Sequence, residues 1–267
     1  MENEINPDWW DEEYDFFGEF YMEGDNSKEG YLEDKNRTIT ERTVEDIDGV
    51  VRLLGLTGDE RILDIPCGYG RHSIELAERG FAIIGIDINT THLKNAIDRS
   101  KKLGVAVDFR KESMLDITYS NQFDHIINMC YSFGFFETDG ENREVLRNFF
   151  RALKPGGKFL METDVNLSRV RAGKYKENET RKLLSGNQLQ IIDQYNAKTK
   201  RMDGTWIITK PDGTSARKDY SVRVFEKDEF VDWCLDAGFV SCGAYGNWQG
   251  DPYDENSEQI IFVAQKK

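Results

Sequence analysis

The chain has 267 residues, 39% of them hydrophobic, and a formal net charge of −14 at neutral pH. A chain of this size and composition can bury a full core, as one large domain or one domain with a satellite. No stretch approaches the roughly 18 consecutive apolar residues of a membrane span, and the acidic balance disfavours partners held through phosphates, nucleic acids above all.

The charge is unevenly spread. Residues 1–35 carry 13 acidic and 2 basic side chains, which leaves −3 for the other 232. The acidity belongs to an N-terminal arm. The opening MENEINPDWWDEE lacks the basic and apolar regions of a signal peptide. Cys67, Cys130, Cys234 and Cys242 are widely spaced, with no CxxC pair and no histidine cluster. Reduced thiols, no metal site and a cytoplasmic location are therefore expected.

Within the arm, residues 9–21 hold seven aromatics, of which Trp10, Tyr14, Phe17 and Tyr21 recur at helical spacing. Such a stripe packs a helix on the core. It also suits a lid that excludes water and offers aromatic faces and acidic neighbours to a cationic ligand.

VEDIDGVVRLLGL (44–56) then predicts a helix, with Ile47, Val50, Val51 and Leu54 on one face. From RILDI the pattern alternates. Strands are expected at 81–87, 105–109, 123–130 and 158–163, and helices after Gly70 and over 89–103 and 141–153. Alternation of this kind implies right-handed crossovers and a parallel sheet covered on both faces. Beyond Asn166 come β segments QLQIIDQYN, TWIITK and KDYSVRVF, the last two joined by a PDG turn at 211–213. KDEFVDWCLDAG predicts a helix, and two closing strands with no helix between them must pair antiparallel.

LDIPCGYGRHSIELAERGF (63–81) concentrates the chemistry. A strand, a glycine bend and a helix N-terminus form a cradle for a polar or anionic group. The same pattern also serves a tight turn in which helix and strand pack closely. Nicotinamide-dinucleotide enzymes set three glycines against a pyrophosphate, whereas Gly68-Tyr69-Gly70-Arg71-His72-Ser73 supplies two glycines and a serine.

Asp64 precedes the glycines, Asp87 ends the next strand, Ser113-Met114 follow the third, NMCYSF ends the fourth and LKPGG introduces the fifth. Over roughly 42–165 and 226–267 the chain resembles the class I S-adenosylmethionine-dependent methyltransferases. The Arg42-Thr43 pair and SFGFF are similar to a bacterial subgroup acting on small molecules. The Gly-Arg-x-Ser run is also found in TehB-like tellurite methyltransferases.

The resemblance implies an α/β, Rossmann-like, doubly wound seven-stranded sheet with one antiparallel strand. The expected organisation is an arm (1–43), a cofactor-binding core (44–169), an inserted β segment (170–225) and a completion of the core (226–267). The cofactor implied is S-adenosylmethionine. Its methionine end would lie over Gly68 and Gly70, where a side chain would collide. Asp87 would accept the ribose hydroxyls and Ile88 would pack on the adenine. Asp64 would hold the loop or reach the ammonium through water, and Pro66 stands in for the family's first glycine. Ser113 replaces the acid that often meets the adenine amino group. Arg42, Thr43, Cys67, His92, Met114, Met129 and Cys130 complete the expected cofactor set.

Ligands of open α/β sheets lie at the carboxyl ends of the strands. Tyr131 and Asp164 there are the candidates for catalysis, and no confident general base stands out. Tyr14, Phe17, Tyr21, Tyr131, Arg223 and Trp248 are the candidates to meet the acceptor, a small molecule that is cationic or aromatic. The expected reaction is in-line methyl transfer to nitrogen or oxygen by a monomer or homodimer. A cofactor-binding regulatory protein and a nicotinamide-dependent oxidoreductase are the alternatives.

Overall fold

The computed structural model describes residues 5–25, 38–175 and 177–267. The remainder of the acidic arm lies outside the described residues.

In the arm, successive turns over 7–18 lead into a short helix, α1 (Glu19–Asp25). The helical stripe expected over 9–21 is therefore corrected. Asp15 adopts a left-handed conformation at φ 57 and interrupts it. Trp9 and Phe16, rather than Trp10 and Tyr14, are the aromatics driven fully inward, at 1% and 3% exposure.

Helix α2 (Ile39–Leu54) starts five residues before the expected 44. Thr38 and Glu41 form a reciprocal capping box: Glu41 N–H donates to Thr38 Oγ1 at 3.1 Å and Thr38 N–H to Glu41 Oε2 at 2.8 Å. Then follow β1 (Arg61–Asp64), α3 (Arg71–Glu78), β2 (Ala82–Asp87), α4 (Thr90–Leu103), β3 (Asp108–Lys111) and β4 (Phe123–Asn128). Helix α5 (Asp139–Ala152) opens on a second capping box, Thr138 with Glu141. It leads through β5 (Leu153–Thr163) into the short α6 (Leu167–Arg171).

The inserted segment forms β6 (Asn178–Lys182), β7 (Gln188–Asn196), β8 (Arg201–Thr209) and β9 (Ser215–Arg223), antiparallel neighbours in that order. Strand β6 was not foreseen, because NETRK is polar throughout and lies at an edge. The expected turn over 211–213 joins β8 to β9, with Lys210 N–H donating to Thr214 O at 2.8 Å. Helix α7 (Lys227–Ala237), β10 (Ser241–Tyr245) and β11 (Ile260–Gln265) complete the chain.

The main sheet has seven strands in the order β10-β11-β5-β4-β1-β2-β3. Only β11 runs against the others, antiparallel to both β5 and β10. This is the expected Rossmann-like architecture. Strand β1 shows why its sequence reads as a solid apolar run: Ile62 enters the core under α2, and Leu63 the core under α5 and α7. The strand order reverses between β1 and β4, so the chain ends leaving those strands diverge and open a crevice.

Candidate functional site

The crevice is a cavity of about 880 Å³ running from the β1–α3 loop to the arm and the inserted sheet.

The loop after β1 has the backbone of a cradle. Gly68 adopts φ 54, a left-handed conformation that favours glycine, and a Cβ there would meet only the His92 ring, Nδ1 at 3.7 Å and Cε1 at 4.0 Å. Gly70 answers to packing instead. At φ 77 it precedes α3, and a Cβ would lie 2.8 Å from both Ala96 Cβ and Phe109 Cζ. It does not line the cavity. Asp64 does not line it either: the side chain is fully buried and accepts Ser73 Oγ–H at 2.6 Å, tying the first turn of α3 to β1. Burial pushes its carboxyl up to about 7. Its other oxygen, Oδ1, is buried without a partner.

Asp87 ends β2 with each oxygen engaged by one backbone donor, Asn89 N–H on Oδ1 and Gly68 N–H on Oδ2, both at 2.8 Å. Each oxygen keeps a further lone pair. Burial raises this carboxyl to about 6, against the pull of those donors. Beside it, Ile88, Pro66 and Cys67 line the cavity. His92 Nε2 is buried with no partner, and desolvation holds that imidazole down at about 4, hence neutral. At the end of β3, Ser113 and Met114 line the wall with Glu112. Ser113 Oγ is already engaged by Leu115 N–H at 3.1 Å, and Glu112 by Tyr119 Oη–H at 2.6 Å.

After β4 the chain turns sharply. Cys130 and Tyr131 both adopt φ 58, a conformation costing about 1–3 kcal/mol each in non-glycine residues. Glu162 of β5 over-determines the turn, its carboxylate accepting Cys130 N–H at 2.8 Å and its carbonyl Tyr131 N–H at 3.0 Å. Cys130 Sγ accepts from Arg71 at 2.7 Å, and burial pushes the thiol up to about 12.

Arg71 also donates to Asp46 at 3.1 Å and to Thr43 Oγ1 at 2.9 Å. Asp46 further meets His72 Nε2 at 3.2 Å and accepts the Trp248 indole N–H at 3.1 Å. It lies 3.6 Å from Arg42. These partners outweigh burial and keep Asp46 below the usual carboxylate range. Ligand atoms of Asp46, His72 and Cys130 converge within 4.8 Å. The Arg71 guanidinium bonds two of the three, so the cluster carries its own cation. Thr43 serves as a strut for Arg71 and does not line the cavity; Arg42, Met129, Cys130 and Trp248 do.

The far wall joins three parts of the chain. From the arm, Phe17 stacks on Phe135 with centroids 5.5 Å apart, and Tyr21 on Trp206 of β8 at 5.3 Å. Trp9 donates its indole N–H to Ser221 O at 2.8 Å. Glu12 anchors the arm to the cofactor side by accepting Thr90 N–H at 2.7 Å and pairing with Lys111. Tyr131 and Asp164 line the same chamber. Tyr131 Oη is buried without a partner.

Two expected acceptor-facing residues lie elsewhere. Tyr14 accepts Asp219 N–H at 2.8 Å on the outer part of the insertion. Arg223, 3% exposed, is held by Asp139 at 3.0 Å and Glu229 at 2.5 Å, where it braces β9 against α5 and α7.

Asp193 was missed. On β7 the inward positions are Leu189, Ile191 and Asp193, so a carboxylate occupies the core register of an amphipathic strand. That break in an apolar alternation is the signal that QLQIIDQYN contains. Asp193 lines the cavity and accepts Tyr175 Oη–H at 3.1 Å and the hydroxyl of Tyr220.

These residues fit an adenosyl sulfonium cofactor. Gly68 leaves the backbone open, Asp87 has lone pairs to spare, His92 Nε2 awaits a partner, and Ile88 and Met129 offer apolar walls.

Comparison with known proteins agrees. The family described as "Methyltransferase domain" matches residues 56–226. A protein named as a methyltransferase in Geobacillus sp. is 25% identical over 222 residues, which cover 79% of this chain and 87% of that one. The glycine/sarcosine N-methyltransferase of Halorhodospira halochloris is 25% identical over 231 residues, 82% of this chain and 80% of that one. An adenosylmethionine-bound amino pentose methyltransferase from Micromonospora echinaspora shares the fold at a TM-score of 0.64 and 18% identity, covering 87% of this chain and 93% of that one. With the family matched over 56–226, through the β1–α3 loop and the whole insertion, the chain belongs to the methyltransferase domain family, as its resemblance to the S-adenosylmethionine-dependent class I enzymes implies.

Proposed function

We propose that the protein transfers the methyl group of S-adenosylmethionine to a small-molecule acceptor by in-line displacement. The observation that carries this reading is the single cavity of about 880 Å³, which joins the Gly68–Asp87 cradle to a chamber under the arm and the inserted sheet. Small-molecule sites run to about 300–1,000 Å³. A cavity of this size suits a cofactor with a compact acceptor, and Trp9, Phe17 and Trp206 line its wall.

The cofactor supplies an activated methyl group on a sulfonium. The chain supplies position. Asp87 would hold the ribose hydroxyls, Gly68 would leave the backbone open to the methionine end, and Arg42 and Arg71, which line the same cavity, would supply positive charge for its carboxylate. The paired left-handed residues aim Tyr131 into the chamber beyond Met129. Holding acceptor and methyl in line contributes much of the rate, since effective molarities reach about 10⁵–10⁸ M in ideal cases. Among the described residues no helix is long and apolar enough to cross a membrane.

Calorimetric titration with adenosylmethionine and adenosylhomocysteine, with NAD as control, tests the reading. Micromolar binding of the first two and none of NAD is expected. Binding of NAD alone, or of none of the three, would sink it.

A further inference from the structure

The inserted sheet builds a polar site into its own inward face. Asp193 on β7, Gly204 on β8 and Tyr220 on β9 stand opposite one another across three strands. Gly204 is there for space, because a Cβ would lie 2.1 Å from Tyr220 Cζ. Its absence lets the tyrosine ring cross the middle strand and bring its hydroxyl to the Asp193 carboxylate. Tyr175, entering from the segment after α6, reaches the other oxygen.

Two tyrosine hydroxyls leave two of the carboxylate's roughly four lone-pair sites free. Asp193 is 7% exposed, and among the described residues no lysine or arginine pairs with it. Its electrostatic neighbours are Asp164 and Glu179, the latter bonded to Arg181. The unpartnered Tyr131 hydroxyl interacts electrostatically with both Asp193 and Asp164. Tyr21, Trp206 and Phe17 line the same cavity.

We infer that Asp193, with Tyr131 beside it, is the anchor and proton acceptor for an amine, so that the acceptor atom is nitrogen. This rests on the methyl-transfer reading above and deepens it. A phenolate or thiolate would have to carry its negative charge against Asp193 and Asp164. An ammonium supplies the cation that this buried carboxylate lacks, within aromatic walls that also favour it. Burial raises Asp193 to about 6, so it takes a proton more readily than an exposed carboxylate.

The step balances. The bound ammonium gives one N–H proton to the Asp193 carboxylate and becomes a neutral amine. The nitrogen lone pair forms the new bond to the methyl carbon as the carbon–sulfur bond breaks, its electron pair going to sulfur. The product leaves as the methylated ammonium, and the proton on Asp193 passes to water.

The test saturates the full chain with adenosylhomocysteine and titrates matched probes: benzylamine against benzyl alcohol, ethanolamine against ethylene glycol, glucosamine against glucose. At least one amine should bind about tenfold more tightly than its hydroxyl partner. Asp193→Asn should bring that ratio within about threefold while adenosylhomocysteine affinity stays unchanged. Tyr131→Phe removes a hydroxyl that holds nothing else and should weaken the same amine about three- to tenfold. Equal binding within each pair, no amine bound, or a preference that survives Asp193→Asn overturns the inference. If Asp193→Asn fails to fold, an unchanged amine affinity in Tyr131→Phe overturns it. Failure to bind adenosylhomocysteine at all would instead remove the methyl-transfer reading.

Discussion

Asp87 offers the sharpest quantitative test of the cofactor assignment, because its two oxygens do different work before any ligand arrives. Oδ2 accepts Gly68 N–H and Oδ1 accepts Asn89 N–H, each at 2.8 Å. The ribose hydroxyls would use the remaining lone pairs. Asp87→Ala removes the charge-assisted bonds to the ribose, worth about 1.5–3 kcal/mol, which is about a 10- to 150-fold rise in dissociation constant. Asp87→Asn is not a gentler change here. One oxygen becomes an NH₂ and faces a backbone N–H, donor against donor, at Gly68 or at Asn89. The amide variant should therefore also lose about 1–3 kcal/mol of folding stability. Adenosylhomocysteine calorimetry and urea denaturation on the wild type and both variants separate the two effects. Wild-type affinity in Asp87→Ala would refute the ribose assignment, and wild-type stability in Asp87→Asn would refute the two-donor account of the loop.

Deleting residues 1–35 removes Trp9, Phe16, Phe17 and Tyr21 from the chamber but leaves Gly68 and Asp87 in place. Turnover should fall more than cofactor affinity, as steady-state kinetics and calorimetry would show; equal kinetics with and without the arm would leave it a packing element only. Asp64 gives a prediction in pH. Its folded carboxyl titrates at about 7 against an unfolded value of 3.8, so between these the folded state holds the extra proton. Its contribution therefore falls as pH rises from about 4 to 7, and Asp64→Asn, which still accepts from Ser73, should gain stability relative to the wild type over that window. Urea midpoints measured across it would detect the trend, and a pH-independent difference would contradict the buried placement.

Local chemistry was readable where residues act on their own neighbourhood. The 211–213 turn closes the β8–β9 hairpin because its bonds close within a few residues. The Thr38-x-x-Glu41 and Thr138-x-x-Glu141 boxes are as local, but they were not read, and α2 and α5 accordingly start at 39 and 139 rather than at the expected 44 and 141. The arm was misread for the opposite reason. Its periodicity suggested a helix, but Trp9 and Phe16 are placed by Phe135 and Tyr220, residues more than a hundred positions away. Gly70 and Arg223 failed likewise: their demands come from Phe109 and from Asp139 and Glu229, which no spacing reveals.

The sequence by itself determined the alternating α/β order, the antiparallel last strand, the glycine bend at Gly68 and the acid that ends β2 at Asp87. Each follows from period, turn chemistry or position at a strand end. Only the tertiary structure decided which polar groups face the cavity and which brace the frame. Asp64 and Asp193 are both buried acids, yet one bonds the first turn of α3 away from the cavity and the other lines it. The difference lies in what packs across from each: Ser73 on the adjoining helix for Asp64, and for Asp193 a tyrosine two strands along that reaches it over the glycine of the strand between.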